Sequence, residues 1–204
     1  MYDLPMGNSA ASDVTASILA GGKSTRMGTD KAFVEFEGRP LLARALDLGR
    51  SVSADVRIIG SKEKFASFAS VVEDVFRGCG PLAGIHAALL ASPTDLNLIL
   101  AVDTPFIPRA FLGYLIERSK QASELAVVPH CDGHWQPLCA IYRKEFAVAA
   151  ENALRAGRNK IDPLFGLVPT RTIRQEELKN AGFGFHMFQN LNTPEELKSH
   201  QGIH

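Results

Sequence analysis

Lys23, Arg26 and Lys31 place three cations within nine positions, directly behind the pair Gly21-Gly22 and with Gly28 between the last two. Glycine leaves backbone N–H groups open to a ligand oxygen, because no Cβ blocks close approach. Cations at that density supply charge to balance a polyphosphate. The stretch therefore suits a nucleoside triphosphate cradle. Two carboxylates follow apolar runs elsewhere: Asp74 after Val71-Val72, and Asp103 after Leu98-Ile-Leu-Ala-Val102. Loops at strand ends of an open α/β sheet meet ligands, and Mg²⁺ is commonly held by one or two carboxylates plus substrate phosphates. Asp103 is the candidate metal ligand on that ground, against a competing reading in which Asp103 or Thr104 caps a helix from about Pro108. Asp74 divides between a ligand contact and a solvated turn.

Several look-alike motifs fail on spacing. Gly22-Lys23-Ser24-Thr25 copies the tail of a P-loop, but the required glycine five residues earlier is Ser17. The G-x-G-x-x-G dinucleotide pattern is absent as well. His130-Cys-Asp-Gly-His134, with Cys139 nearby, matches no standard zinc pair, and a turn at Asp132-Gly133 joining two strands is the plainer reading. His86, in an apolar helical stretch, reads as a hydrogen-bonded structural histidine.

These residues need elements to position them. Ala16 to Ala20 is an apolar run stopped by glycines, hence a buried strand feeding the loop. Leu41, Leu42, Ala45, Leu46 and Leu48 give a helix its apolar face, with Pro40 in the first turn. Val56–Ile59 and Val71–Asp74 read as strands, with a short helix through Phe65 and Phe68 between them. Asn97–Val102 should be central and buried on both faces. A helix from Pro108 to about Lys120, strands at Leu125–Val128 and Gln136–Tyr142, and a helix from Lys144 to Ala156 follow. Thr170–Arg174 and Phe185–Phe188 read as late strands. Thr193, Pro194 and Glu196 open a last helix through a capping box. Strands alternating with helices at short intervals indicate a single-domain, three-layer α/β fold of Rossmann-like type, with a mostly parallel sheet.

At 204 residues, with 46% hydrophobic and 22% charged residues, one domain with a proper core is expected, residues 14–204 after a frayed tail at 1–13. The 22 basic residues balance 22 acidic ones, which argues against nucleic acid as the partner. No stretch approaches membrane-spanning length, and the start lacks the features of a signal peptide. Three irregularly spaced cysteines favour reduced thiols in the cytoplasm.

Leu19-Ala-Gly-Gly-Lys-Ser-Thr-Arg-Met-Gly-Thr-Asp-Lys31 resembles the signature loop L-A-G-G-x-x-x-R-M-G-x-D-K of the molybdenum cofactor guanylyltransferases, within the nucleotidyltransferase superfamily. Gly80-Pro-Leu-Ala-Gly84, Asp103-Thr-Pro-Phe106 and Asn190-Leu-Asn-Thr-Pro-Glu-Glu-Leu197 are similar to further motifs of that family, and the resemblance extends from about Thr15 to Leu197. It implies the nucleotide-diphospho-sugar transferase type of fold. Leu19, Ala20, Gly21, Gly22, Lys31, Asp74, Gly80 and Gly84 would contact the nucleotide, and Asp103 would hold Mg²⁺. Arg26, Lys31 and Asp103 would be catalytic, Asn190 and Asn192 would serve the pterin, and Gln136-Pro137 would face that substrate. Arg158 and Lys160 are a solvated loop or, if functional, hold the pterin's phosphate.

What the resemblance implies is transfer of GMP from GTP to the terminal phosphate of molybdopterin, with cofactor synthesis or insertion proteins as partners. A phosphate monoester has a second pKa of about 6 and is already a dianionic nucleophile near neutrality. It needs in-line positioning and charge cancellation rather than a general base. A cytidylyltransferase, another nucleotidyltransferase of the same fold, or a non-catalytic nucleotide-binding adaptor would share most of these features. Gly21 bears on the first of these. The related cytidylyltransferases carry alanine at this place, so a missing Cβ, or a positive φ that glycine permits, is expected to favour guanine.

Overall fold

The computed structural model describes residues 11–21 and 30–191. Chain order begins with β1 (Ala11–Leu19), the short hairpin β2 (Glu35–Phe36) and β3 (Arg39–Pro40), α1 (Leu41–Arg50) and β4 (Ser53–Ile59). It continues through α2 (Lys62–Phe65), β5 (Ser70–Val72), α3 (Pro81–Ala91), β6 (Leu96–Ala101) and α4 (Arg109–Lys120). Then come β7 (Ala126–Cys131), β8 (His134–Trp135), β9 (Cys139–Arg143), α5 (Phe146–Arg155), β10 (Thr170–Arg174) and α6 (Gln175–Asn180). The main sheet runs β10-β7-β9-β6-β1-β4-β5 and is parallel except for β9, antiparallel to both β6 and β7, and for short β8, which pairs antiparallel with β7 off this path. The expected α/β sheet, mostly parallel with a helical layer on each face, is what the chain forms.

Side-chain alternation builds the two core layers. Ala16 and Ile18 of β1, with Leu98 and Leu100 of β6, face α1 and α4; Leu19 and Ile99 face α3 and α5. All of β6 is buried, as its unbroken apolar run requires. α3 is apolar around most of its girth, and Leu82 to Leu89 are all buried, because it lies between the sheet and α5. Asp132 (φ 50°) and Gly133 (φ 75°) make the two-residue turn between β7 and β8, as expected for that dipeptide. Cys131 and Cys139 are buried, and burial raises both thiol pKa values, so they behave as core residues.

Several expectations are corrected. β1 begins at Ala11, so the strand takes in residues assigned to the tail. α2 ends at Phe65, and Phe68 lies beyond it, 42% exposed. Phe185–Phe188 is a 3-10 turn, not a strand. Met187 and Phe188 both enter the same core layer, which the alternation of a strand would forbid for consecutive residues. His86 is buried, but among the described residues neither ring nitrogen has a hydrogen-bond partner. Its ring meets Phe76 edge-on at 5.3 Å, Nε2 lies 4.0 Å from Glu151, and burial lowers its pKa, so the neutral form is favoured.

Candidate active site

The carboxyl ends of β6, β1, β4 and β5 stand side by side along one edge of the sheet. Val102 N–H donates to the Leu19 carbonyl (3.1 Å), and Ala20 N–H donates to the Ile59 carbonyl (3.0 Å). These bonds fix where the strands stop. Leu19 and Ala20 are buried, and Gly21 emerges exposed from the edge. Gly22, Lys23 and Arg26 lie outside the described residues, as do Asn192 and the capping-box helix from Thr193.

The chain reappears at Asp30, whose Oδ1 accepts from Ala32 N–H (3.2 Å) and caps a 3-10 turn, Lys31–Phe33. Its Oδ2 pairs with Lys64 Nζ on α2 at 2.8 Å, and that bond raises the lysine's pKa. The turn is seated by Ala32, which is fully buried. Lys31 is thereby aimed back over the strand ends, and its Nζ donates to Asp103 Oδ2 at 2.8 Å. The two side chains are 26% and 17% exposed, open enough to exchange partners with a ligand.

Asp103 lies just past the end of β6, after Val102. The helix-cap reading falls here, because the N-cap of α4 is Pro108 with no side-chain cap, and Thr104 Oγ1 donates instead to the Ala101 carbonyl (3.1 Å). The Asp103 carbonyl accepts from Leu191 N–H at 3.0 Å. This bond brings Asn190, itself exposed, to the flank of Asp103. Sequence reading missed that tether, and also the Asp30–Lys64 pair. A buried apolar residue between two asparagines was the available signal for the first.

Asp74 lies just past β5 and is partly exposed. Three inter-strand spacings of about 4.8 Å, roughly 14 Å in all, separate the ends of β6 and β5, which Asp103 and Asp74 follow. They can bracket an extended nucleotide lying across the edge. Among the described residues no cluster of three or more His, Cys, Asp or Glu side chains forms a metal cage. One hard carboxylate that leaves other positions to phosphate oxygens and water fits Mg²⁺.

The glycines separate by role. Gly84 is buried, and a Cβ there would sit 3.2 Å from Leu19 Cδ2, so it serves the close packing of α3 on β1 rather than a ligand contact. Gly80 is exposed at the start of α3, whose N-terminal amides point to the same edge. Its φ of 74° and ψ of −163° are essentially restricted to glycine. A Cβ on Gly80 meets nothing within 4 Å, so the cost of adding one is backbone strain alone. Gly80→Ala is accordingly expected to lose about 1–3 kcal/mol of stability. Urea unfolding measures this, and an unchanged midpoint would mean the backbone there is not confined. Gly21 lacks the positive φ that the guanine argument allowed for, and a Cβ would find only ordinary contacts at 3.8 Å from Gly60 and Ile59.

On the other flank of β6, β9 starts at this same edge. Gln136 and Pro137 are half-buried, and Gln136 Nε2 donates to Cys131 Sγ at 3.8 Å. Trp135 packs against His130 and Phe165, both at 4.8 Å between ring centres, as an aromatic wall that motif spacing did not single out. Arg158 and Lys160 are exposed in the loop after α5.

A family model described as a MobA-like NTP transferase domain matches residues 16–166. The chain is 36% identical over 185 residues to a probable molybdenum cofactor guanylyltransferase of Pelotomaculum thermopropionicum, covering 90% of this chain and 89% of that one. It is 34% identical over 203 residues to the molybdenum cofactor guanylyltransferase of Pseudomonas aeruginosa, covering 97% and 100%. The crystal structure of molybdopterin-guanine dinucleotide biosynthesis protein A from Archaeoglobus fulgidus superposes with a TM-score of 0.79 at 28% identity, covering 91% of this chain and 95% of that chain.

Proposed function

Because the chain belongs to the family of MobA-like NTP transferase domains and is a nucleotidyltransferase, we propose that it transfers GMP from GTP to the terminal phosphate of molybdopterin. The observation that carries the reading is the meeting of Lys31 with Asp103, beside the Leu191 tether that brings Asn190 alongside. A candidate phosphate-binding cation, a candidate metal-holding carboxylate and Asn190-Leu191, the first residues of the closing motif, thus meet at one point of the edge.

In this reading the GTP triphosphate lies over the Gly21-Gly22 amides, with Lys31 and Arg26 cancelling its charge. Lys23 serves the β/γ end, and Asp74 and Gly80 border the nucleoside. Asp103 would hold Mg²⁺, which supplies Lewis-acid charge at the α-phosphate. The acceptor phosphate, already dianionic, attacks the α-phosphorus as the bond to the β-phosphate oxygen breaks and pyrophosphate leaves. No general base is required. Asn190 and Asn192 orient the pterin, and its synthesis or insertion proteins are candidate partners. Reduced cysteines support a cytoplasmic setting, and among the described residues no helix is long and apolar enough to cross a membrane.

A transfer assay with molybdopterin and each of four α-labelled triphosphates, GTP, CTP, ATP and UTP, tests this. Label should pass from GTP by a wide margin. Transfer chiefly from CTP would select the sister activity, and no transfer from any would leave a binding adaptor. The same assay applied to Gly21→Ala tests base choice. The fold accommodates this methyl group, so a changed ratio reports the ligand. The GTP-to-CTP ratio of efficiencies should fall by about ten- to two-hundredfold, the worth of a one-methyl misfit. A uniform decline for both nucleotides would refute the steric account.

A further inference from the structure

Lys31 and Asp103 have been given different ligands, a phosphate and a divalent cation, yet here they hold one another, Nζ to Oδ2, at 2.8 Å. We propose that this pair is an interlock: Lys31 keeps the divalent cation off Asp103 until a nucleoside triphosphate draws the ammonium away. The inference rests on the metal role of Asp103 proposed above.

The geometry separates what is fixed from what can move. The Lys31 backbone is pinned, because Val34 N–H donates to its carbonyl (3.1 Å) and the turn is capped by Asp30 and seated by buried Ala32. The Asp103 backbone is pinned by Leu191. Between these two anchors only side chains need to change, and lysine's flexible four-carbon stem permits that without refolding. A cation on the Asp103 carboxylate would stand within a few ångströms of the ammonium, where both groups are partly shielded from solvent. Their repulsion disfavours the cation when it comes alone. A triphosphate offers Lys31 a more highly charged acceptor and brings its own oxygens to the metal. The site for the cation is thereby completed only together with the nucleotide, which prevents idle occupation by free metal.

The test is binding of Mn²⁺, followed by its EPR signal, to the full chain without nucleotide. Wild type should bind weakly. Lys31→Met should bind at least about tenfold tighter, a 1.4 kcal/mol gain, and the double variant Lys31→Met/Asp103→Asn should lose that gain. Lys62→Met removes equal charge from neighbouring α2 and should stay near wild type. Lys31→Met binding no tighter than wild type overturns the interlock, as does an equal gain in Lys62→Met or survival of the gain in the double variant. Lys31→Gln guards against an effect peculiar to methionine. The underlying reading is tested separately with a non-hydrolysable GTP analogue present. If Asp103→Asn then binds Mn²⁺ as wild type does, the metal role of Asp103 fails, and the interlock with it.

Discussion

Asp103→Ala should lower guanylyl transfer by about a hundredfold or more, equivalent to roughly 2.7 kcal/mol of transition-state stabilisation, while the protein stays folded. The two halves of that expectation have separate grounds. Asp103's structural bonds are made by its backbone: its carbonyl accepts from Leu191, and neighbouring Val102 binds Leu19. Its side chain makes a partly exposed ion pair with Lys31, and pairs that water still reaches are worth about 1 kcal/mol or less. The thermal midpoint should therefore move little. In the proposed reading the carboxylate, just past the end of β6, would hold a cation against the α-phosphate, and alanine cannot replace it. Single-turnover transfer with saturating GTP and Mg²⁺, alongside thermal unfolding, measures both halves. Near-normal Mg²⁺-dependent turnover in a well-folded variant would sink the metal assignment. Asp74→Ala should do less and act mainly on nucleotide binding, since Asp74 stands at the other end of the edge.

Phe111→Ala should cost about 3–5 kcal/mol of stability, the range for deleting a fully buried aromatic ring. Phe111 is 0% exposed on α4 and meets Phe183 at 5.1 Å and Phe188 at 5.4 Å, both edge to face. Phe183 precedes, and Phe188 ends, the 3-10 turn that leads into Asn190 and Leu191. A cavity at Phe111 thus loosens the segment tethered to Asp103, while Leu19 and α3 rest on the opposite core layer, and Ala32, which seats Lys31, shares the layer of Phe111 but packs beside α1. The KM for molybdopterin should rise, with GTP binding largely kept, in enzyme held below its unfolding transition. Urea denaturation gives the stability, and separate titrations of the two substrates give the split. Equal weakening of both would show that the loss spreads through the shared core layer to the turn that carries Lys31. Phe111→Leu keeps most of the volume and should show the same split at smaller cost.

Local pattern determined a good deal of this protein. The run before Asp103 could only be a strand buried on both faces, and the glycines after Ala20 marked where β1 had to stop. Asp132-Gly133 set a hairpin turn, and helix faces followed from apolar spacing. Each of these depends on a few consecutive residues, whose backbone preferences and burial are legible in the chain itself. The insertion of β9 antiparallel between β6 and β7 was not legible, because strand order depends on which edges find partners after the chain has looped back. Gly21, Gly80 and Gly84 look alike as letters. Only the structure gives them different tasks: an open edge for Gly21, a backbone conformation reserved to glycine at Gly80, and close packing against Leu19 at Gly84. Phe185–Phe188 resembled a strand because three of its four residues are apolar, but a 3-10 turn lets consecutive Met187 and Phe188 enter the core layer of Phe111 while Phe185 stays exposed. The meeting of Lys31 with Asp103, 72 residues apart, is likewise a tertiary fact. Each charge could be nominated by its own neighbours. Their separation is decided by how a capped turn, a sheet edge and a backbone bond from Leu191 pack together, and no stretch of sequence holds all three.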